Sequence, residues 1–257
     1  MKISIITVSF NSAKTIRDTI ESVLSQTYSD IEYIVVDGNS KDETVNIIRE
    51  YEPRFKGRMR WVSEPDKGLY DAMNKGIRMA TGDVVGIINS DDFFTDKAVI
   101  EKIANTFIKE QVDTLYANLY FVKPEDTSCV VRTLKGKRYV PGLMRRGWAP
   151  AHPTFYVKRS VYERFGVFDT TFSVSADFEL MLRFIERYHV STYFLDEFIV
   201  RMRMGGESTG SILKILEGNK NIVRAFKKND IPVSVFYPLM RLTPKVIDLV
   251  LRKIGFK

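Results

Sequence analysis

The side chains best placed to do chemistry are acidic and sit just past apolar runs. Val84 to Ile88 is a short, nearly unbroken apolar stretch that leads directly into Asn89, Ser90, Asp91 and Asp92. Two adjacent carboxylates at the end of a buried strand are unfavourable unless something cationic neutralises them. A divalent cation whose shell is completed by a ligand's phosphates meets that need. Alternation along a strand sets Asn89 and Asp91 on one side and Ser90 and Asp92 on the other. This makes Asp91 the direct metal ligand and Asp92 its supporting neighbour. The same carboxylates could instead cap the helix that starts near Asp96, or sit in a turn. Other strand-like runs also end in polar residues: Thr7 to Ser9 close the first, Asp37 the second, and Glu64 to Asp66 follow the third. In open α/β sheets, ligands bind at the carboxyl ends of strands. Four polar ends on one edge make a site for an extended polar ligand with its own diphosphate and metal.

The elements that must position these groups are legible in the periodicity. Lys2–Phe10, Ile31–Val36, Arg58–Ser63 and Val84–Ile88 read as strands, and Thr114–Phe121 as a fifth. Between them lie helical faces: Ile16, Ile20, Val23 and Leu24; then Val45 and Ile48 after a capping box at Ser40–Glu43; then Ala72, Met73 and Ile77; then Ile100, Ile103 and Phe107. Alternation of this kind implies an α/β fold with a mostly parallel, doubly wound sheet and helices on both faces. After Phe121 the alternation is lost. Val130–Leu134, Phe155–Val157 and Val190–Leu195 read as short strands, with a helix at Asp177–Arg187. The expected division is residues 1–121, a nucleotide-binding half; 122–210, an acceptor-binding and catalytic half of the same domain; and 211–257, a basic amphipathic helical tail.

Composition narrows the function classes. With 257 residues, 44% hydrophobic and 28% charged, the chain has the material for a sizeable globular core. A lone Cys129 rules out an internal disulfide and a multi-cysteine metal site, and it suits a reducing cytoplasm. The start, Met1-Lys2-Ile3-Ser4-Ile5-Ile6, lacks a signal-peptide layout, and no stretch reaches the length of a membrane span. The net charge of +7 comes from residues 211–257, with ten Lys/Arg against three Asp/Glu, whereas residues 1–210 hold 29 of each. A nucleic-acid binder is therefore disfavoured, because no basic groove pattern accompanies the core. No Gly-rich phosphate loop follows the first strand, which removes dehydrogenase and P-loop kinase readings.

Taken together, Ile-Ile-Thr-Val-Ser-Phe-Asn, Val-Val-Asp-Gly-Asn-Ser-Lys-Asp, Asp-Lys-Gly-Leu-Tyr-Asp-Ala-Met-Asn-Lys-Gly and Asn-Ser-Asp-Asp resemble the family 2 glycosyltransferases of the GT-A fold. The likeness covers roughly residues 1–205, and it is closest to members acting in bacterial surface polysaccharide assembly. It implies that Thr7, Val8 and Ser9 line the nucleobase and ribose pocket and that Asp37 accepts a hydrogen bond from the base. Asp66, Lys67 and Gly68 would border the nucleoside, with Asn74 near the ribose or sugar and Asn89, Ser90 and Asp92 around the metal at Asp91. Asp177 resembles the family's catalytic base. Two departures stand out: Asn89 occupies the first position of the usual Asp-any-Asp motif, and Ala176 replaces an acid before Asp177. The first predicts weaker metal binding. In the acceptor half, Trp148 could stack on a sugar ring, His152 could touch the diphosphate or acceptor, and Glu179 could contact the acceptor. Arg203, or Arg201, resembles the group that neutralises the departing diphosphate.

The resemblance thus implies an inverting, metal-dependent transferase using a UDP-linked nucleotide-diphosphate sugar with Mg²⁺ or Mn²⁺. Its acceptor would be a saccharide carried on a lipid. The tail, where Phe236, Leu239, Leu242, Val246, Leu249 and Ile254 alternate with Arg241, Lys245, Arg252 and Lys253, reads as a helix lying on an anionic membrane. That places the protein in the cytoplasm, peripheral on the inner face of the cytoplasmic membrane. Packing of that tail on the core or on a partner subunit is the alternative. The competing functions are a sugar nucleotidyltransferase and a nucleotide-sugar- or carbohydrate-binding protein without catalysis.

Overall fold

The computed structural model describes residues 1–205, 212–234 and 237. The chain begins with β1 (Ile3–Ser9), α1 (Ile16–Leu24), β2 (Ile31–Asp37), α2 (Thr44–Tyr51), β3 (Met59–Ser63), α3 (Leu69–Met79) and β4 (Val84–Ile87). It continues through β5 (Phe93–Phe94), α4 (Val99–Glu110), β6 (Thr114–Val122), β7 (Val130–Leu134), β8 (Tyr156–Lys158) and α5 (Arg159–Phe165), then α6 (Ala176–Leu182), β9 (Thr192–Arg203) and α7 (Ile212–Lys228). One curled sheet runs β3-β2-β1-β4-β8-β6-β9-β5, with β7 paired to β6. The first four strands are mutually parallel. The rest of the sheet is mixed: β8 runs antiparallel to β4 and β6, while β9 runs parallel to β6.

Both faces of this sheet are covered, which is why β1 and β2 are buried along their whole length and read as continuous apolar runs. On one face Ile3, Ile5, Tyr33 and Val35 pack with Ile16, Ile20, Ile100 and Phe107. On the other, Ile6, Val8, Ile34 and Val36 meet Ala72, Met73 and Ile77 of α3 and continue into Phe178 and Phe184. The approach of α3 to β1 is close enough that a Cβ on Gly76 would fall 2.4 Å from Ile6 Cγ2.

Several expected boundaries shift for identifiable reasons. The capping box does not form: Ser40 Oγ donates to Asp37, and α2 starts at Thr44, whose amide donates to Asp42 Oδ1. The last strand is twelve residues, Thr192–Arg203, because β6 and then β5 supply partners that local sequence does not reveal. α5, Arg159–Phe165, forms where the sequence pattern predicts no helix. The expected helix over Asp177–Arg187 is α-helical only to Leu182 and then a π-helical turn, Arg183–Arg187. The tail begins inside the core: Ile222, Ala225 and Phe226 of α7 are buried, with the Phe226 ring 5.7 Å from Phe178. Among the described residues, no helix is long and apolar enough to cross a membrane. The helix expected over Val235–Phe256 lies outside the described residues, Tyr237 excepted.

Candidate functional site

The loops after β1, β2 and β4 are laced into one rim. Asn11 N donates to Ser40 Oγ and Lys41 N to Asn11 Oδ1, each at 2.8 Å, and Ser12 N reaches Thr44 Oγ1 at 2.8 Å. Ser12 Oγ and Ser90 Oγ are 2.8 Å apart, tying the β1 loop to the β4 loop. Asn11 and Asn39 sit at positive φ, 49° and 62°, which asparagine tolerates better than most residues.

Beneath that rim, Asp37 is fully buried. It accepts from Ser9 Oγ at 3.1 Å, Ser63 Oγ at 2.7 Å, Ser40 N at 2.9 Å and the Ser40 hydroxyl. Four donors occupy both oxygens, so Asp37 clamps the ends of β1, β2 and β3 instead of presenting a carboxylate to a base. Thr7 is a second correction: its hydroxyl accepts from Tyr33 at 3.0 Å inside the core. Val8 faces α3 in the other core, and Ser9 is spent on Asp37. What stands open is Phe10, 64% exposed, which the sequence reading passed over. Its signal was a large aromatic immediately past a buried strand. A Cβ on Gly38 would lie 2.7 Å from Asp66 Oδ2 and 3.3 Å from Phe10 Cδ2, so Phe10, Gly38 and Asp66 form one contiguous edge with a flat ring and a carboxylate. Lys67 and Gly68 are exposed beside it, with Asp66 Oδ1 accepting from Gly68 N at 2.9 Å. Asn74 does not belong to this edge. Its amide donates to Phe168 O at 2.8 Å and accepts from Phe168 N at 2.9 Å, fastening α3 to the segment that precedes α6.

Past the end of β4 at Ile87 the side chains do not alternate as expected, because the strand has already stopped. Residues 89–92 form a turn, Asp92 N donating to Asn89 O at 3.1 Å, and Asn89 Nδ2 reaches Asp92 Oδ2 at 3.2 Å. Asn89 therefore faces Asp92, while Ser90 is engaged with Ser12. Burial, and then the neighbouring Asp91 charge, push the Asp92 carboxyl well above the usual carboxylate range. Burial raises Asp91 too, opposed by its own amide and by Arg203. The turn is gripped from two sides: Thr19 Oγ1 donates to Asp92 O at 2.7 Å, and Arg203 Nη1 to Asp91 O at 2.6 Å. Arg203 is buried and ion-paired with Asp18. It arrives there because Phe93 pairs with Arg201, and the antiparallel register carries Arg203 to Asp91. Asn89 Oδ1 and Asp92 Oδ1 are buried acceptors with no hydrogen-bond partner. Orphaned oxygens beside the Asp91 carboxylate suit a hard cation. Among the described residues no group of three or more His, Cys, Asp or Glu could hold a metal, so such a cation would need oxygens from its ligand.

Asp177 lies in the first turn of α6, just after Ser175, which is held at φ 68°. Tyr70 Oη of α3 donates to Asp177 Oδ1 at 3.3 Å. Tyr70 stacks on Phe168 at 5.5 Å, and His152 meets Phe168 edge-on at 5.6 Å. Burial holds the His152 imidazole below its ordinary range, against the pull of the Asp177 charge. β8 runs antiparallel to β4 with Tyr156 opposite Gly86, so the 3-10 turn His152–Thr154 that leads into β8 lies toward the carboxyl end of β4, where residues 89–92 turn. Asp177, whose charge acts on His152, lies toward the same end of the sheet. A crevice of about 50 Å³ between Lys67–Asp71 and Thr170–Ser173 lies beside Tyr70. A larger cavity, about 750 Å³ along α7, is lined by Glu217, Lys220 and Arg224 and shares no residue with these loops. Trp148 is half-buried, edge-on to Tyr116 at 5.5 Å, with Lys137 5.8 Å from its ring. Glu179 is not an acceptor contact: it is buried, paired with Arg183 at 3.1 Å and accepting from Asn229 at 3.0 Å.

A curled α/β sheet with this strand-end rim defines a GT-A transferase. The sequence model of glycosyl transferase family 2 matches residues 4–186, and the chain belongs to that family. It is 33% identical over 190 residues to an uncharacterized glycosyltransferase of Mycobacterium tuberculosis, covering 70% of this chain and 68% of the relative. A PGL/p-HBAD biosynthesis glycosyltransferase of Mycobacterium bovis is 24% identical over 250 residues, covering 95% and 92%. Among solved structures, S. aureus TarS 1-349 in complex with UDP-GlcNAc superposes with a TM-score of 0.67 at 17% identity, over 89% of this chain and 73% of that one. In another TarS crystal structure the match spans 41% of that chain. The mannosyltransferase PcManGT from Pyrobaculum calidifontis, in complex with GDP-Man and Mn²⁺, gives 0.64 at 18% identity, over 93% and 68%.

Proposed function

We propose that this family 2 enzyme is an inverting glycosyltransferase that moves a sugar from a nucleotide-diphosphate donor, UDP-linked, to a saccharide acceptor in cell-surface polysaccharide or glycolipid synthesis. The acceptor is carried on a lipid. The observation that carries the reading is that Asp91, in the turn after β4, and Asp177, whose charge acts on His152 just before the antiparallel β8, lie toward the same end of the sheet although they come from opposite halves of the chain. The base stacks on Phe10 beside Asp66, and Lys67 and Gly68 border the nucleoside. Asp91 would hold Mg²⁺ or Mn²⁺, with the orphaned oxygens of Asn89 and Asp92 beside it; such an ion would supply Lewis-acid stabilisation of the leaving diphosphate. The bound nucleotide sugars and Mn²⁺ of the structural neighbours favour the same assignment.

Asp177 takes the proton of the acceptor hydroxyl as that oxygen attacks the anomeric carbon. Tyr70 holds one carboxylate oxygen, leaving the other for the acceptor. Arg203 keeps a positive charge against the Asp91 turn. The substitution Asp177→Asn is expected to lower transfer by about 10²–10⁴-fold with an unchanged donor dissociation constant in calorimetry. Wild-type turnover in that variant refutes the assignment. Donor hydrolysis that survives without acceptor separates an enzyme from a mere sugar-binding protein.

A further inference from the structure

The even charge balance of residues 1–210 conceals a segregated stretch. Residues 127–162 contain eight Lys/Arg and no Asp or Glu. Much of this stretch lies on one border of the sheet. β7 pairs with β6 through Leu119–Val122, and the chain then follows β6 back, Gly136 N donating to Asn118 Oδ1 at 2.7 Å and Tyr116 Oη to Lys137 O at 2.6 Å. Val130, Val131, Leu134 and Val140 are 38–47% exposed along it. Lys135 and Arg138 are exposed, and among the described residues neither has a carboxylate partner. Of the acids that border the strip, Glu186 is buried against Arg145 and the amides of Gly142 and Met144, Asp196 accepts from Asn118, and the exposed Glu125 and Asp126 of the β6–β7 turn mark where the strip ends.

We propose that this acid-free strip, Val130 to Arg146, docks on an anionic lipid bilayer. Charge alone has a blander account, since lysines on an edge strand discourage edge-to-edge pairing. That account gives no role to four exposed aliphatic side chains threaded among the bases. A soluble polyanion would likewise reward only the charges, whereas a membrane interface rewards both. The strip leads within two residues of Arg146 to Trp148 and then to His152, so docking would turn the acceptor side of the proposed site toward the membrane. It does not depend on the C-terminal tail or on the identity of the donor.

The test uses the full chain and vesicles of phosphatidylcholine with and without phosphatidylglycerol. Sedimentation is expected with the anionic vesicles only. Lys135→Gln with Arg138→Gln should weaken partition about 25-fold, the product of two contacts worth about fivefold each. Leu134→Asp should lose vesicle binding while keeping retention on heparin. An environment-sensitive fluorophore on Leu134→Cys, in a Cys129→Ser chain, should shift to the blue on anionic vesicles, a readout local to the strip. Unchanged partition of the double variant, or a silent fluorophore on bound protein, overturns the proposal. So does loss of heparin retention with intact vesicle binding, which would make the strip a polyanion site. Thermal melts matching wild type keep any loss from being one of folding.

Discussion

At the scale of single residues, a side chain's partners decide its role more than its type does. Asn89 illustrates this: its amide donates to the buried Asp92 carboxylate at 3.2 Å, which an aspartate in that position could not do without a proton. A third carboxylate there would face Asp92 in a buried turn, so the amide is the residue that this turn accommodates. Glu179 makes the same point from the other direction. Its carboxylate is closed off by Arg183 and Asn229, and Arg183 in turn donates to Phe165 O and to Val167 O at 2.7 Å. Removing one partner of a buried ion pair strands the other charge, which costs about 3–5 kcal/mol. Glu179→Ala is therefore expected to lose about 3 kcal/mol in denaturant melts while the acceptor KM of the folded enzyme stays near wild type. A raised KM at unchanged stability would return Glu179 to the acceptor.

At the scale of elements, the end of the sheet opposite the rim is pinned by another acid, Glu32 of β2. Burial alone would raise its carboxyl, but Ser4 of β1, Thr81 and Arg60 of β3 bond to it and together hold it at about 2. The folded value lies below the unfolded value of about 4.3. The stabilisation is therefore complete above about pH 4.5 and is lost as pH falls toward 2, amounting to about 1–2 kcal/mol once solvent screening of these partly exposed partners is allowed for. Glu32→Gln should be less stable than wild type at pH 7, and the gap should close in acid melts. A gap constant with pH would remove Glu32 from this role. These first elements were the legible part of the fold, since β1 to β4 announce themselves by apolar runs and α1 to α4 by their periodic faces. The rest was hidden where partners are remote in sequence. Arg203 and Asp18 are 185 residues apart, two residues of β5 set the register that joins Arg203 to Asp91, and Asp37 is filled by three serines from separate segments. Strand-end polarity pointed to one edge, and the loops after β1, β2 and β4 do meet there. It could not say which of those side chains are already satisfied by one another.

At the scale of the whole molecule, α7 is packed into the segment around α6 and is not an appendage to it. Asn221 Nδ2 donates to Val174 O at 3.0 Å, Arg224 Nη1 to Thr171 O at 3.0 Å, and Lys228 pairs with Asp169. Phe226 packs on Phe178 at 5.7 Å, and Tyr237 Oη reaches back to Met144 O at 3.0 Å. Every one of these contacts except the last falls between Asp169 and Phe178, the stretch that contains strained Ser175 and the proposed base Asp177. A strained residue persists only where its surroundings over-determine it, and α7 supplies that constraint from outside. Loosening it should misplace the proposed base without touching the proposed donor edge, which is built from β1, β2 and α3. Asn221→Ala with Arg224→Ala is accordingly expected to lower kcat by about 10-fold or more, since small misplacements of reacting groups reach 10²-fold. The donor dissociation constant should stay unchanged, and hydrogen exchange should quicken across residues 169–178. Were kcat to hold while exchange quickened there, the loop would be shown to reorder around the acceptor without help from α7, and the helix would be left with packing alone.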